Sequence, residues 1–321
     1  MRNKIVLISG GAGFLGSHLC DFYINKGYKV IALDNLSTGS KANIKHLNDN
    51  KQFQFIKKDI CQDISDIVEA IGSNDVSIVA NLASPASPPH YQRLSLETLA
   101  VGATGTLNML ELARKYNARF FHASTSEVYG DPEIHPQIES YKGSVNSYGP
   151  RSMYDEAKRY SEALIYAYRG RYPEVSTCIG RFFNTYGPRM DANDGRVVSN
   201  FIVQALFDKP LTVYGDGNQT RSFCYVDDLI EGITKLIESS ESNPMNLGNP
   251  GEFTIKQLAE KVINLTKSKS QISYCPLPGD DPLQRKPDIS YAKRSLNWAP
   301  EIKLETGLER TIRYFRNVAG A

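Results

Sequence analysis

The segment from Ile5 to Asp34 constrains the fold more than any other. Ile5-Val6-Leu7-Ile8 is a short continuous apolar run, the pattern of a strand buried on both faces of a parallel sheet. It enters Ser9-Gly10-Gly11-Ala12-Gly13-Phe14-Leu15-Gly16, and a helical pattern follows through Leu15, Leu19, Phe22 and Tyr23 to about Asn25-Lys26-Gly27. Val30-Ile31-Ala32-Leu33 then forms a second strand that stops on Asp34. Glycine permits a tight turn and close backbone approach, and the helix N-terminus beyond it favours a pyrophosphate. An acid ending the second strand accepts hydrogen bonds from ribose hydroxyls, and Asn35 after it, in place of arginine, favours NAD over NADP. The spacing is Gly10-x-x-Gly13-x-x-Gly16, not the commoner G-x-G-x-x-G, and a glycine triplet alone also describes an ordinary strand-to-helix turn. Strand, helix, strand and acid in register turn it into a NAD site, with Gly10, Gly13, Phe14, Leu15, Gly16, Asp34 and Asn35 as cofactor-binding residues.

The alternation continues. Phe53 to Ile56 reads as a strand leading to Asp59-Ile60, a contact for the adenine edge. Ile64 to Ile71 is helical, and Val76 to Leu82 is a fourth strand that brings Leu82 and Ala83 to the cofactor. Ala83 to His90 carries three prolines, which predict a stiff loop and forbid helix, at the carboxyl edge of the sheet where open parallel sheets bind ligands. A long helix is expected over about 94–116, then a fifth strand over Arg119 to Ala123. Strands alternating with helices predict an α/β, Rossmann-type doubly wound parallel sheet.

The fifth strand delivers Ser124, Thr125, Ser126 and Glu127 to the ligand edge. After a loop rich in proline and glycine, a helix starts near Ser152 and carries Tyr154 and Lys158 four residues apart, on one face. A phenol with an ordinary pKa of ~10 is a poor base at neutral pH. A neighbouring ammonium and a positive nicotinamide both favour the phenolate. Tyr154 could then take a proton from a substrate hydroxyl while hydride leaves to NAD, with Lys158 on the nicotinamide ribose and Thr125 bonded to the same substrate oxygen. A lone Tyr-x-x-x-Lys is common by chance; its place after a dinucleotide half and a Ser-Thr strand end is what gives it meaning.

Composition removes other classes. The 321 residues include 37 basic and 35 acidic ones, so net charge is only +2 and there is no basic footprint for nucleic acid. Five dispersed cysteines, without a C-x-x-C, predict neither disulfides nor zinc and point to a reducing cytoplasm. No apolar run reaches the ~18 residues of a membrane helix, and the start, Met1 to Lys4 and four apolar residues, is too short for a signal-peptide core. Asp227-Asp228 lacks companion ligands and reads as a helix N-terminus, so no metal is expected.

Gly10-x-x-Gly13-x-x-Gly16 with Tyr154-x-x-x-Lys158 resembles the extended short-chain dehydrogenase/reductases that modify nucleotide sugars. Within them the chain is most similar to the UDP-glucuronate decarboxylases. The likeness is carried by Leu82 to Tyr91, Ser124 to Pro132, Gly149-Pro150-Arg151 with Tyr154-Asp155-Glu156, Phe183 to Met190, Asn193 to Phe201 and Arg285 to Ile289, and it spans nearly the whole chain. The resemblance implies redox roles for Thr125, Tyr154 and Lys158, and decarboxylation roles for Glu127 as an acid and Arg285 as a cation. Oxidation at sugar C4 makes a ketone β to the C5 carboxylate; carbon dioxide leaves through an enolate, C5 is protonated, and the ketone is reduced again with no net redox change. It also implies a UDP site from Asn184, Arg196, Val197, Tyr214, Gln219, Arg221 and Arg285, with Pro88 and Tyr91 on the sugar, and a homodimer through a four-helix bundle. Residues 1–183 with about 222–250 are expected to form the NAD domain, and 184–221 with 251–321 a smaller, interleaved C-terminal α/β lobe for the nucleotide sugar.

The family pattern breaks at one place. Where it reads Asn-Pro and then Lys-Thr-Asn, this chain has Leu94-Ser95 and Ala100-Val101-Gly102, before the retained Gly105-Thr106-Leu107-Asn108-Met109-Leu110. That removes an amide and an ammonium near the expected nicotinamide and leaves the sugar open. A nucleotide-hexose 4,6-dehydratase shares the first oxidation but places Asp-Glu where this chain has Ser126-Glu127. A 4-epimerase needs neither Glu127 nor Arg285. A non-catalytic NAD sensor would not need Thr125, Tyr154 and Lys158.

Overall fold

The computed structural model describes residues 4–276 and 284–319. The signal-peptide reading at Met1–Asn3 therefore lies outside the described residues. Strands β1 (Ile5–Ser9), β2 (Lys29–Asp34), β3 (Phe53–Lys57), β4 (Val76–Asn81), β5 (Arg119–Thr125) and β6 (Thr177–Phe182) join the strand Pro244–Leu247 in one parallel sheet. Its order runs from Pro244–Leu247 through β6, β5, β4, β1 and β2 to β3. The chain reverses direction across the sheet between β1 and β4, which pair in parallel, and this opens a crevice at their carboxyl ends.

Both faces are covered. Along β1, Val6 and Ile8 enter one core cluster and Ile5 and Leu7 the other. Period-2 alternation thus feeds two cores with apolar residues, which is why the strand reads as an unbroken apolar run. Helices α1 (Phe14–Asn25) and α8 (Val226–Glu238) pack on the first face. On the second lie α5 (Thr106–Tyr116) and α6 (Ser152–Arg171).

The proline loop behaves differently from expectation. Pro88–Arg93 is a helix, α3, with prolines in its first two positions. Those positions have no intrahelical acceptor for an N–H, so proline costs nothing there and its fixed φ suits the turn. The long helix expected over 94–116 is interrupted: α4 (Ser95–Ala100) leads into a π-helical turn, Val101–Gly105, and then α5. The strand Pro244–Leu247 and the helix α10 (Ser290–Leu296) were not legible in the sequence pattern.

Toward the C-terminus, α7 (Val197–Leu206), α9 (Ile255–Thr266) and α11 (Leu304–Ala319) surround short strands over 211–214, 220–222, 252–254, 272–275 and 284–285. Asp228 is a structural anchor: its carbonyl accepts from the Trp298 indole at 3.0 Å, and its carboxylate from the Ile302 amide at 2.9 Å. Among the described residues no group of His, Cys, Asp and Glu could hold a metal ion, and no helix is long and apolar enough to cross a membrane.

Candidate active site

A cavity of about 1300 Å³ runs along the carboxyl edge of the sheet. It is lined at one end by Gly10, Gly13, Phe14, Leu15 and Gly16, beside Asp34, Asn35, Asp59 and Ile60. Leu82, Ala83, Pro88, Tyr91, Thr125, Glu127, Tyr154 and Lys158 form its middle. Asn184, Arg196, Val197, Tyr214, Gln219, Arg221 and Arg285 line the rest. Every residue expected from the sequence to touch a ligand therefore faces the same space.

The glycine turn fits a dinucleotide. Gly10 has φ +71°, and a Cβ there would stand 2.8 Å from the Ala83 amide nitrogen. A Cβ on Gly16 would lie 2.0 Å from the Gly10 carbonyl oxygen. Only glycine permits this packing, and it leaves helix α1 with its N-terminus open to the cavity. Asp34 accepts from the Ala12 amide at 3.0 Å and the Leu36 amide at 2.8 Å, which fixes its carboxylate at the rim. Each oxygen keeps a further lone pair for a ribose hydroxyl. Asn35 donates to Asp59 at 3.3 Å and ties the segments that follow β2 and β3 together.

At the middle of the cavity, β5 ends in Thr125, which caps the one-turn 3-10 segment Ser126–Tyr129 by accepting from the Glu127 amide at 3.2 Å. The Thr125 hydroxyl lines the same cavity as Tyr154 and favours the ionised form of its phenol. Tyr91 stacks on Tyr154, with ring centroids 5.0 Å apart and planes 9° apart. Lys158 donates to the Ala123 carbonyl at 2.8 Å, and its Nζ is 5.9 Å from the Tyr154 ring centroid. Burial pushes the Lys158 ammonium down to about 8 and the Tyr154 phenol upward. Desolvation of the phenolate is the largest influence on Tyr154 in the protein alone.

Glu127 also departs from expectation. One of its oxygens accepts from Arg285 and the other from Arg151 at 2.6 Å. Burial works to raise its pKa, but the two guanidiniums prevail and hold it below the usual carboxylate range. As placed it is a carboxylate, not a ready acid. Arg285 is itself fixed, with its guanidinium on the Gly130 carbonyl at 3.3 Å and its own carbonyl bonded by Ser222 at 3.0 Å.

Two residues of this cluster had no role in the sequence reading. Arg151 occupies the N-cap of α6, where a cation opposes the helix dipole; such a placement signals a carboxylate partner nearby. Asp155, one turn on, is buried, and its Oδ1 has no hydrogen-bond partner. Burial and then the Glu127 charge push it up to about 7. At the other end of the cavity, Arg196 forks onto Asp194 at 2.7 and 2.6 Å and lies over the Phe14 ring at 5.6 Å. Arg221 donates to the Thr220 carbonyl at 2.9 Å, and Gln219 to the Tyr214 carbonyl at 2.5 Å beside the half-exposed Tyr214 ring.

A family model described as GDP-mannose 4,6 dehydratase matches residues 7–311. UDP-glucuronic acid decarboxylase 1 of Arabidopsis thaliana is 51% identical over 313 residues, covering 97% of this chain and 70% of that protein. Its Danio rerio namesake is 49% identical over 312 residues, covering 97% of this chain and 72% of that one. The chain belongs to the UDP-glucuronic acid decarboxylase family of extended short-chain dehydrogenase/reductases. Solved structures agree on the fold. The UDP-glucuronic acid 4-epimerase of Bacillus cereus, in complex with UDP-glucuronic acid and NAD, superposes with TM-score 0.87 at 29% identity, over 98% of this chain and 99% of that one. The dTDP-glucose 4,6-dehydratase of Bacillus anthracis, in complex with NAD, gives 0.85 at 26%, over 98% and 97%. Membership in this decarboxylase family rests on the relatives near half identity, because epimerases and dehydratases share the fold.

Proposed function

We propose that the protein converts UDP-glucuronate to UDP-xylose and carbon dioxide through a 4-keto sugar, with bound NAD and no net redox change. The observation that carries this reading is the Glu127–Arg285 ion pair set in the same cavity as Thr125, Tyr154 and Lys158. A redox pair alone serves an epimerase or a dehydratase equally well. A guanidinium next to it suits a carboxylated sugar.

NAD would lie on the Gly10–Gly16 turn with its adenosine ribose on Asp34. When bound, it supplies the hydride acceptor and a positive ring that favours the Tyr154 phenolate. Tyr154 takes the proton from the sugar C4 hydroxyl, and Thr125 holds the same oxygen. Tyr91 stacks on the phenol and excludes water from one side of it. Arg285 orients the C5 carboxylate, and the enolate left by carbon dioxide is stabilised by the donors around C4. Arg196, Arg221, Gln219 and Tyr214 hold the UDP, with Asn184 and Val197 along its path. Residues 1–183 with about 222–250 serve the NAD side and the remainder the nucleotide sugar.

Helices α4, α5 and α6 expose Leu96, Leu99, Leu107, Tyr160 and Tyr166, with Leu96 at 76% and Tyr166 at 80%. This apolar, aromatic face supports a homodimer joined through a four-helix bundle. The balanced charge and absence of disulfides support a cytoplasmic, reducing location.

Incubation with NAD and a panel of UDP-, dTDP-, GDP- and CDP-sugars, read by mass spectrometry, tests the reaction. Loss of carbon dioxide from UDP-glucuronate is expected. Loss of water from a hexose would make the protein a dehydratase, and a new isomer of unchanged mass would make it an epimerase.

A further inference from the structure

Asp194 is buried in the turn before α7, and its two carboxylate oxygens have different partners. Oδ1 accepts from the Ser199 hydroxyl at 2.7 Å and from the Arg196 amide at 3.0 Å. Oδ2 accepts from the Arg196 guanidinium, through Nε at 2.7 Å and Nη2 at 2.6 Å. One oxygen thus fixes the carboxylate to the start of α7, and the other fixes the guanidinium to the carboxylate.

The turn is held in its place. Gly195 has φ +76°, and a Cβ there would stand 2.7 Å from Pro89 Cγ. The turn is therefore pressed on α3, the helix that carries Tyr91. Asn200 closes it by donating to the Gly195 carbonyl at 3.1 Å. Arg196 is braced a second time by the Phe14 ring, 5.6 Å away, at the start of α1 beside the glycine turn.

A free arginine side chain samples many rotamers, and a ligand that orders it loses affinity in doing so. Here the carboxylate and the ring have already set the guanidinium. Two of its five N–H groups are engaged by Oδ2, which leaves three for a ligand. The Arg196 side chain is 33% exposed and lines the cavity, whereas that of Asp194 is 2% exposed. The cation meets the ligand and the anion stays behind it.

Resting on the nucleotide-sugar reading above, we propose that Asp194 is a positioning residue for the diphosphate: it does not touch the ligand, and it holds Arg196 in the orientation that does. A carboxylate behind a cation also has an opposing effect, because it offsets part of the charge that a diphosphate seeks. That loss is screened by water and salt at the part-exposed Arg196 head, while the benefit of a fixed donor edge is not. Asparagine at 194 would set an amide N–H against the guanidinium, or turn over and give up the bonds on Oδ1.

Calorimetric titration of NAD-loaded protein with UDP tests this, using Asp194→Asn, Arg196→Gln and the two combined. Asp194→Asn is expected to weaken UDP binding about tenfold, the size of one hydrogen bond to a charged group. In the Arg196→Gln background the same change is expected to have no further effect, because a residue that acts through Arg196 then has no guanidinium to position. NAD binding by each variant reports its fold. Ser199→Ala keeps the charge and loosens only Oδ1. Its smaller loss of UDP affinity is also expected to vanish with Arg196→Gln, and it carries the test should Asp194→Asn fail to fold. UDP binding by Asp194→Asn as tight as in the wild type, or tighter, would overturn the proposal. An equal further loss in the Arg196→Gln background would make Asp194 a residue of the fold alone and overturn it as well. Failure of the wild type to bind UDP would overturn the nucleotide-site reading on which the proposal rests.

Discussion

A Cβ placed on Gly102 would lie 2.8 Å from both the Cβ and the carbonyl oxygen of Ala157. The π-helical turn of Val101–Gly105 thus meets α6 one residue before Lys158, backbone against backbone. Ser161 donates to the Gly102 carbonyl at 2.8 Å, and the Thr106 hydroxyl to the Val101 carbonyl at 3.2 Å. Val101 lines the cavity from the same turn. The residues that break the family pattern form a close helix crossing behind the Tyr–Lys pair.

Gly102→Ala therefore sets two effects against each other. Alanine gains ~1 kcal/mol of helix propensity. Overpacking at so short a separation costs ~1–3 kcal/mol, so a net loss is expected. Because α6 carries Lys158, kcat should fall with it. Denaturant unfolding and steady-state kinetics on one preparation check both; a more stable variant with unchanged kcat would show that the crossing is loose.

Asp155 gives a stability prediction with a definite sign. Its carboxyl is pushed up to about 7 from the ordinary 3.8. Between those values the folded protein binds a proton that the unfolded chain does not, so Asp155 subtracts stability as pH rises through that window. Asp155→Asn should raise Tm at pH 8, and the gain should vanish as pH falls toward the ordinary carboxylate range. Removing the carboxylate also forfeits its attraction to the α6 dipole, ~0.3–1 kcal/mol. That opposing effect is the smaller one, since one pKa unit alone corresponds to about 1.4 kcal/mol. Thermal unfolding across this range decides it; a variant less stable at pH 8 would contradict the account.

Tyr154 and Arg285 should fail at different steps. Tyr154→Phe removes the base, so both NADH formation and carbon dioxide release should drop, on the order of 10²–10⁴-fold, with NAD affinity nearly intact. Arg285→Lys keeps a cation but loses the fork that meets a carboxylate. It should still form NADH on mixing with UDP-glucuronate while carbon dioxide release slows. Stopped-flow absorbance of NADH beside a carbon dioxide assay separates the two, and equal loss of both signals in Arg285→Lys would remove it from the decarboxylation step.

Much of this site was legible locally. The glycine turn, Asp34 and the Tyr–Lys spacing are short-range patterns, and the structure places them along one cavity. Three features were not. The prolines at 88 and 89 suggested a loop, although the first helical positions accept proline. The strand Pro244–Leu247 is only four residues long and begins with proline, so it carries little periodic signal. The protonation state of Glu127 depends on Arg285, 158 residues away in sequence. Local patterning carries no information on such a pair, and the family resemblance named both residues without saying that they neutralise each other.

The exposed face of α4 to α6 should be an interface. Leu96→Glu with Tyr166→Glu puts charge on two side chains that face solvent in the single chain, so the monomer fold should tolerate it. Sedimentation is expected to show a dimer for the wild type and a monomer for the variant. A concentration-independent monomer mass for the wild type would refute the bundle.

The central claim is that carbon dioxide leaves from C5 while the C4 hydrogen is carried away and returned within one active site. Turnover of UDP-glucuronate labelled with deuterium at C4, run in ordinary water and in deuterium oxide and read by mass spectrometry, tests it most directly. The account predicts a product that has lost carbon dioxide, kept the C4 label and gained one solvent hydrogen at C5. A product that retains its carboxylate, or that loses the C4 label to solvent, would contradict it.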